Sequence, residues 1–150
     1  MRTYHGAGIL FFVKHEQEVL ILLGQRRRSG VWSIPGGGRH ESDTDSWVTA
    51  QRETTEEFGS VPETHHIKFT LTYPFGIFGF RWSTFVIEVQ DCLPISSYPD
   101  RQSRDFANEF RDAAWFPISA LPPKIHWLLY PAIWRLRMRM RKWMRHARLS

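Results

Sequence analysis

A single cysteine, Cys92, stands among 150 residues, so no disulfide can close within the chain, and the composition fits a reducing compartment. Acidic residues run out early. After Asp112 there are none, while Lys124, Arg135, Arg137, Arg139, Arg141, Lys142, Arg145 and Arg148 all lie beyond it. Long hydrophobic runs are missing too. Lys14 ends the apolar stretch Ala7 to Val13 well short of the roughly 20 residues a membrane helix needs, and no small-residue cleavage site follows. The sequence has neither an internal repeat nor a low-complexity tract. Together these absences argue against a disulfide-stapled scaffold and a helical membrane protein, and the expectation is a soluble, cytoplasmic protein.

What is present is ordinary globular composition, 42% apolar and 23% charged, in a chain long enough to bury roughly two-thirds of its unfolded surface. One domain over 1–150 is expected, with about 125–150 as a basic helical extension. Twelve of the twenty Lys and Arg residues precede the tail, against all fifteen acidic ones. The pI of about 9.8 therefore reports one segment and not a uniformly basic surface.

Gly8 to Val13 and Val19 to Leu23 read as a hairpin of buried strands, and Gly24 to Gly30, with Arg26, Arg27 and Arg28, as an exposed basic loop. Val31 to Ile34 is a short strand running into Pro35-Gly36-Gly37-Gly38, a segment expected to be neither helix nor regular strand. Asp45 is placed to cap a helix through about Phe58, with Trp47, Val48, Gln51, Thr54 and Phe58 inward and Gly59 ending it. Strands follow at about 67–73 and 80–89, then a polar excursion over 91–108, a short strand at 113–116, and a helix from about Ile125 interrupted at Pro131. That order implies an α/β fold with a mixed sheet.

The central helix carries Arg52-Glu53-Thr54-Thr55-Glu56-Glu57-Phe58-Gly59. Glu53, Glu56 and Glu57 share one face within one turn. A solvated acidic face is the plain structural reading of such a run. Beside a glycine turn with accessible carbonyls, however, three carboxylates match the oxygen ligands that hard divalent cations take, and Arg52 can reach Glu56 and orient it.

The stretch 37–61 resembles the Nudix box, G-x5-E-x7-R-E-U-x-E-E-x-G-U with U bulky and aliphatic. Gln25-Arg26, Trp32 to Gly37, and Asn108-Glu109 through Trp115-Phe116 extend the resemblance over roughly the first 120 residues. Three positions depart from it. Counting back from Arg52, the first box glutamate falls on Thr44, and Thr54 and Ser60 occupy aliphatic positions. Asp43 or Asp45 is the candidate replacement for the glutamate, Asp43 fitting if the loop is one residue longer.

The resemblance implies an α/β/α sandwich with a central helix at about 46–58, and Mg2+- or Mn2+-dependent hydrolysis of a nucleoside diphosphate linked to another group. It implies metal ligation by Glu53, Glu56, Glu57 and the Gly37 carbonyl, orientation by Arg52, a general base that is either a helix carboxylate or the late-loop Glu109 or Asp112, and a phosphate contact at Arg26. A small-molecule nucleotide is the expected partner. Phe75, Phe78, Phe80 and Trp82 are candidates for base stacking, although strand spacing favours core packing or an interface for them. His65 and His66 have no partners at zinc-ligand spacing. In the tail, Leu136, Met140, Trp143, Met144 and Ala147 form a helical stripe expected to pack on the body or in a homodimer, ahead of contact with RNA or anionic membrane. The alternative function is a nucleotide- or RNA-binding module of this fold with weak or no hydrolysis.

Overall fold

The computed structural model describes residues 4–59, 61, 65–75, 79–90 and 108–149. Most of the expected excursion over 91–108, together with Phe78 and Ser60, lies outside them. The elements are β1 (Tyr4–His15), β2 (Glu18–Arg26), β3 (Trp32–Ser33), β4 (Gly36–Gly38), α1 (Ser46–Phe58), β5 (His65–Phe75), β6 (Phe80–Val89), β7 (Phe110–Pro117), a 3-10 turn (Trp127–Leu129) and α2 (Tyr130–Ala147).

The aliphatic runs form strands because both faces of the sheet are covered. On β1, Ala7, Ile9, Phe11 and Val13 join Ala50 and Phe58 of α1 in one core. Leu10 and Phe12 point the other way, into a second core with Ala132, Ile133 and Leu136 of α2. Alternation with period two thus feeds two apolar layers, giving helix, mixed sheet, helix.

The seven strands follow the order β3-β2-β1-β6-β5, with β4 on β1 and β7 on β2. β1 runs parallel to β6 from Tyr4 to Phe12. Its other edge is shared. Phe12 to His15 pair with β2, whereas Gly6 to Gly8 pair with Gly36 to Gly38. The β1/β2 hairpin therefore splays, and β3 and β4 fill the gap, β3 resting on Gly24 and Gln25 of β2. The glycine segment is a strand after all, because its backbone approaches another strand too closely for side chains. A Cβ on Gly36 would lie 2.6 Å from the Ala7 carbonyl oxygen.

Two further expectations are corrected. β2 continues through Gly24, Gln25 and Arg26, paired with β7, so the basic loop shrinks to the turn after Arg26. Pro131 does not interrupt a helix but sits in the first turn of α2, where its missing N–H costs nothing. The α1 boundaries stand as expected: Asp45 accepts from the Val48 N–H, and Gly59 ends the helix at φ 93°. Its inward face differs in detail, with Thr49, Ala50, Thr54, Glu57 and Phe58 buried.

Because α2 supplies buried Ala132, Ile133 and Leu136, it is part of the second core. Leu136→Ala should lower unfolding stability by about 2–5 kcal/mol, measured by denaturant titration. A loss below about 0.5 kcal/mol, the level of an ordinary surface substitution, would show that α2 is not docked.

Candidate active site

β4 runs past the N-terminal end of β1, and α1 packs behind it, so the glycines face the helix carboxylates directly. The Glu53 carboxylate presses on Gly37 so closely that a Cβ there would lie 2.6 Å from it. Glu57, on the buried side of α1, accepts through Oε1 from the Gly36 N–H at 3.1 Å. Its Oε2 is buried without a hydrogen-bond partner, the nearest cation being Arg26 at 3.6 Å. Glu53, Glu56, Glu57, Gly36, Gly37, Arg26, Asn108 and Glu109 line a cleft of about 370 Å3.

Arg52 organises this cleft. Its Nη1 donates to Glu53 at 3.0 Å and to Glu56 at 3.3 Å, and its Nη2 to the Gly38 carbonyl at 2.9 Å. Its Nε and Nη2 also donate to the two oxygens of Asp43, at 3.2 and 3.0 Å. Asp43, buried, accepts in addition from Thr49 Oγ1 and the His40 N–H. Thr44 is exposed. Of the two candidates offered in place of the box glutamate, Asp43 ties the loop to Arg52, while Asp45 serves as helix cap.

The electrostatics follow from these contacts. Hydrogen bonds from Arg52, and then from the His40 backbone, hold the Asp43 carboxyl well below the usual carboxylate range, and Asp43 in turn raises the Arg52 guanidinium. Burial raises Glu53, with Arg52 opposing. Burial pushes Glu57 up to about 8, against the pull of Arg26 and the Gly36 N–H. A buried carboxylate with one oxygen that accepts no hydrogen bond is costly, and Arg26 at 3.6 Å offsets only part of that cost.

The other expected residues are mostly at hand. Arg26 bridges Glu57 and Glu109, the latter at 3.2 Å, and stacks over Phe110 at 4.5 Å. Asp112 is not in the cleft; its Oδ1 accepts from the Ala113 N–H. As they stand, no three acidic or histidine side chains among the described residues converge to hold a metal ion, because Arg52 draws Glu53 and Glu56 to itself.

A second cavity, of about 400 Å3, adjoins the cleft and shares Arg26, Gly36 and Gly37 with it. Tyr4, Ser33, Ile34, Phe80, Trp82, His126, Leu128 and Leu129 complete its walls. Phe80 stacks on Tyr4 with ring centroids 5.5 Å apart, and the Trp82 indole lies where Cβ atoms on Gly6 or Gly36 would stand. Phe80 and Trp82 thus line a cavity and do not fill the core. Burial, then the Arg26 charge, lowers the His126 imidazole. Its Nδ1 accepts from the Leu128 N–H, leaving a proton for Nε2. From sequence alone, no site role falls to Tyr4, Ser33, Asn108 or His126.

The NUDIX domain model matches residues 3–137. The chain belongs to the Nudix family. Solved structures agree on the fold. A C. elegans Ap4A hydrolase binary complex is 21% identical with a TM-score of 0.58, covering 78% of this chain and 82% of that one. A MutT NUDIX hydrolase from Burkholderia pseudomallei is 20% identical with a TM-score of 0.61, covering 89% and 97%. The NUDIX domain of Shewanella oneidensis NrtR, complexed with ADP ribose, is 19% identical with a TM-score of 0.60, covering 93% and 90%. No curated protein matches the chain.

The sign of the Glu57 effect is testable on this Nudix domain with divalent metals chelated. Unfolded Glu57 titrates near its ordinary 4.5 and folded Glu57 near 8. Between those values the native state holds a proton the unfolded chain has lost, so this group's contribution to stability declines as pH rises through the window. The thermal stability gained by Glu57→Gln should accordingly grow between about pH 5 and about pH 8. A gain that is constant with pH would contradict the assignment.

Proposed function

We propose that this protein hydrolyses a phosphoanhydride bond in a nucleoside diphosphate linked to another group, using Mg2+ or Mn2+ held by Glu53, Glu56, Glu57 and the Gly37 carbonyl. The observation that carries the reading is the buried Glu57 Oε2, which accepts no hydrogen bond and has only the Arg26 guanidinium near it at 3.6 Å, beside a glycine strand in contact with a second carboxylate. Three carboxylates and a carbonyl suit a hard divalent cation. Glu56 is half exposed and Glu53 borders the cleft, so these two carboxylates would turn from Arg52 Nη1 toward the cation while Arg52 keeps its bonds to Asp43 and the Gly38 carbonyl. The cation would neutralise phosphate charge and activate the attacking water.

The protein's own part is positioning. Tyr4, Phe80 and Trp82 offer aromatic surface for a nucleobase, and the Ser33 hydroxyl and the His126 Nε2 proton offer hydrogen bonds to its edge. Gly36 and Gly37, shared between cavity and cleft, admit the diphosphate close to the backbone. Arg26, at the same junction, supplies a guanidinium to phosphate oxygens. Glu109, next to Arg26 and more than half exposed, is placed to take a proton from the attacking water. Two of the structural neighbours are described by Ap4A hydrolysis and by an ADP ribose complex, both nucleoside diphosphate derivatives.

A nucleotide panel should reveal turnover that requires Mg2+ or Mn2+ and releases a phosphate or a nucleoside monophosphate. Glu56→Gln should reduce it about a thousandfold, or about 4 kcal/mol in the barrier. Binding of the same nucleotides with no metal-dependent turnover would replace hydrolase by binding module.

A further inference from the structure

The outward face of α2 is used by neither core nor cleft. Ile133 and Leu136 are buried, and Met140, Trp143 and Met144 pack against the same core, so one side of the helix is satisfied. On the opposite side Trp134 is 62% exposed and Met138 45%, one turn apart. The line extends back through Tyr130, at 54%, to Trp127, at 63%. Forward along the same side come Arg141, Lys142, Arg145 and Arg148, all exposed.

The remaining α2 arginines are committed to the body. Arg137 donates to the Ile118 carbonyl at 2.7 Å, Arg139 to that of Lys68 at 3.3 Å, and Arg135 and Arg139 sit over the Phe69 ring. The exposed face therefore has an aromatic half and a cationic half. No carboxylate occurs after Asp112, and no Ser, Thr, Asn or Gln occurs from Trp127 to Ala147.

These features choose among occupants. A second copy would bring like charges together with no carboxylate on the face to pair them. Nucleic acid would meet the arginines, but the apolar line includes Met138, which cannot stack, and the helix has no neutral side-chain amide or hydroxyl for base edges apart from the phenol of Tyr130. An anionic bilayer matches both halves: Trp, Tyr and Met enter the interfacial layer, and the cations meet lipid phosphates. We propose that the outward face of α2 seats the protein on an anionic phospholipid surface. No helix among the described residues is long and apolar enough to cross a membrane, so the association is peripheral.

Flotation of the full-length protein with vesicles tests this. Vesicles of phosphatidylcholine and phosphatidylglycerol should carry the protein, and phosphatidylcholine alone should not. Trp134→Ala with Met138→Ala should weaken partitioning about tenfold through lost apolar burial. Arg141→Glu with Arg145→Glu should abolish it, both paired variants remaining folded by circular dichroism at the assay temperature. Equal partitioning to neutral vesicles, none at low salt, or indifference to both pairs would overturn the proposal. So would a dimer that Trp134→Ala dissociates, or single-stranded RNA binding at a salt concentration where vesicle binding is lost.

Discussion

One arginine holds the cleft together. Arg52 reaches the Gly38 carbonyl on β4, Asp43 in the loop, and Glu53 and Glu56 on its own helix, so strand, loop and helix meet on a single guanidinium. The planar fork of donors makes this possible, and a lysine would have neither the reach nor the geometry. Burying such an ion pair is costly unless every lone pair and proton is used. Here both Asp43 oxygens are engaged, with Thr49 and the His40 N–H completing the set. Through the Gly38 carbonyl the same guanidinium ties α1 to the glycine strand, whose Gly36 and Gly37 line the cleft.

The fold explains why two cavities share one junction. β1 pairs with β2 at one end and with β4 at the other, and the resulting splay opens the sheet where Gly36 and Gly37 cross it. On the α1 side of that opening stand the carboxylates; on the α2 side stand Trp82, Phe80 and the 126–129 turn. Arg26 sits where the two meet. A ligand with an aromatic base at one end and a polyphosphate at the other fits this arrangement without either end crossing the core. Glu57 carries the cost of the site, a buried carboxylate with one oxygen that accepts no hydrogen bond, while Arg52 offsets the charge of Glu53 and Glu56.

Much of this was legible in the residues. α1 announces itself through the Asp45 cap and the Gly59 stop, and β1 and β2 through apolar runs that both layers bury. The carboxylate trio follows from helical spacing alone. What the sequence hid has physical reasons. Three glycines have no side-chain pattern, and the partner that makes them a strand, Gly6 to Gly8, lies about thirty residues earlier. Asp43 and Thr44 are adjacent in an aperiodic loop, so only the contact with Arg52 decides between them. Tyr4, Ser33 and His126 come from three distant segments that converge only in the folded chain. Pro131 reads equally as a break or a first turn until its neighbours are placed.

The central claim is that Glu57 holds the oxygen that accepts no hydrogen bond for a divalent cation and not for the sake of the fold. Calorimetric titration of Mn2+ into the metal-free protein tests it without any substrate. The account predicts saturable binding to the wild-type chain, weaker by at least about tenfold in Glu57→Gln, with the variant still folded and no less stable at neutral pH. Equal Mn2+ affinity in both proteins would contradict it.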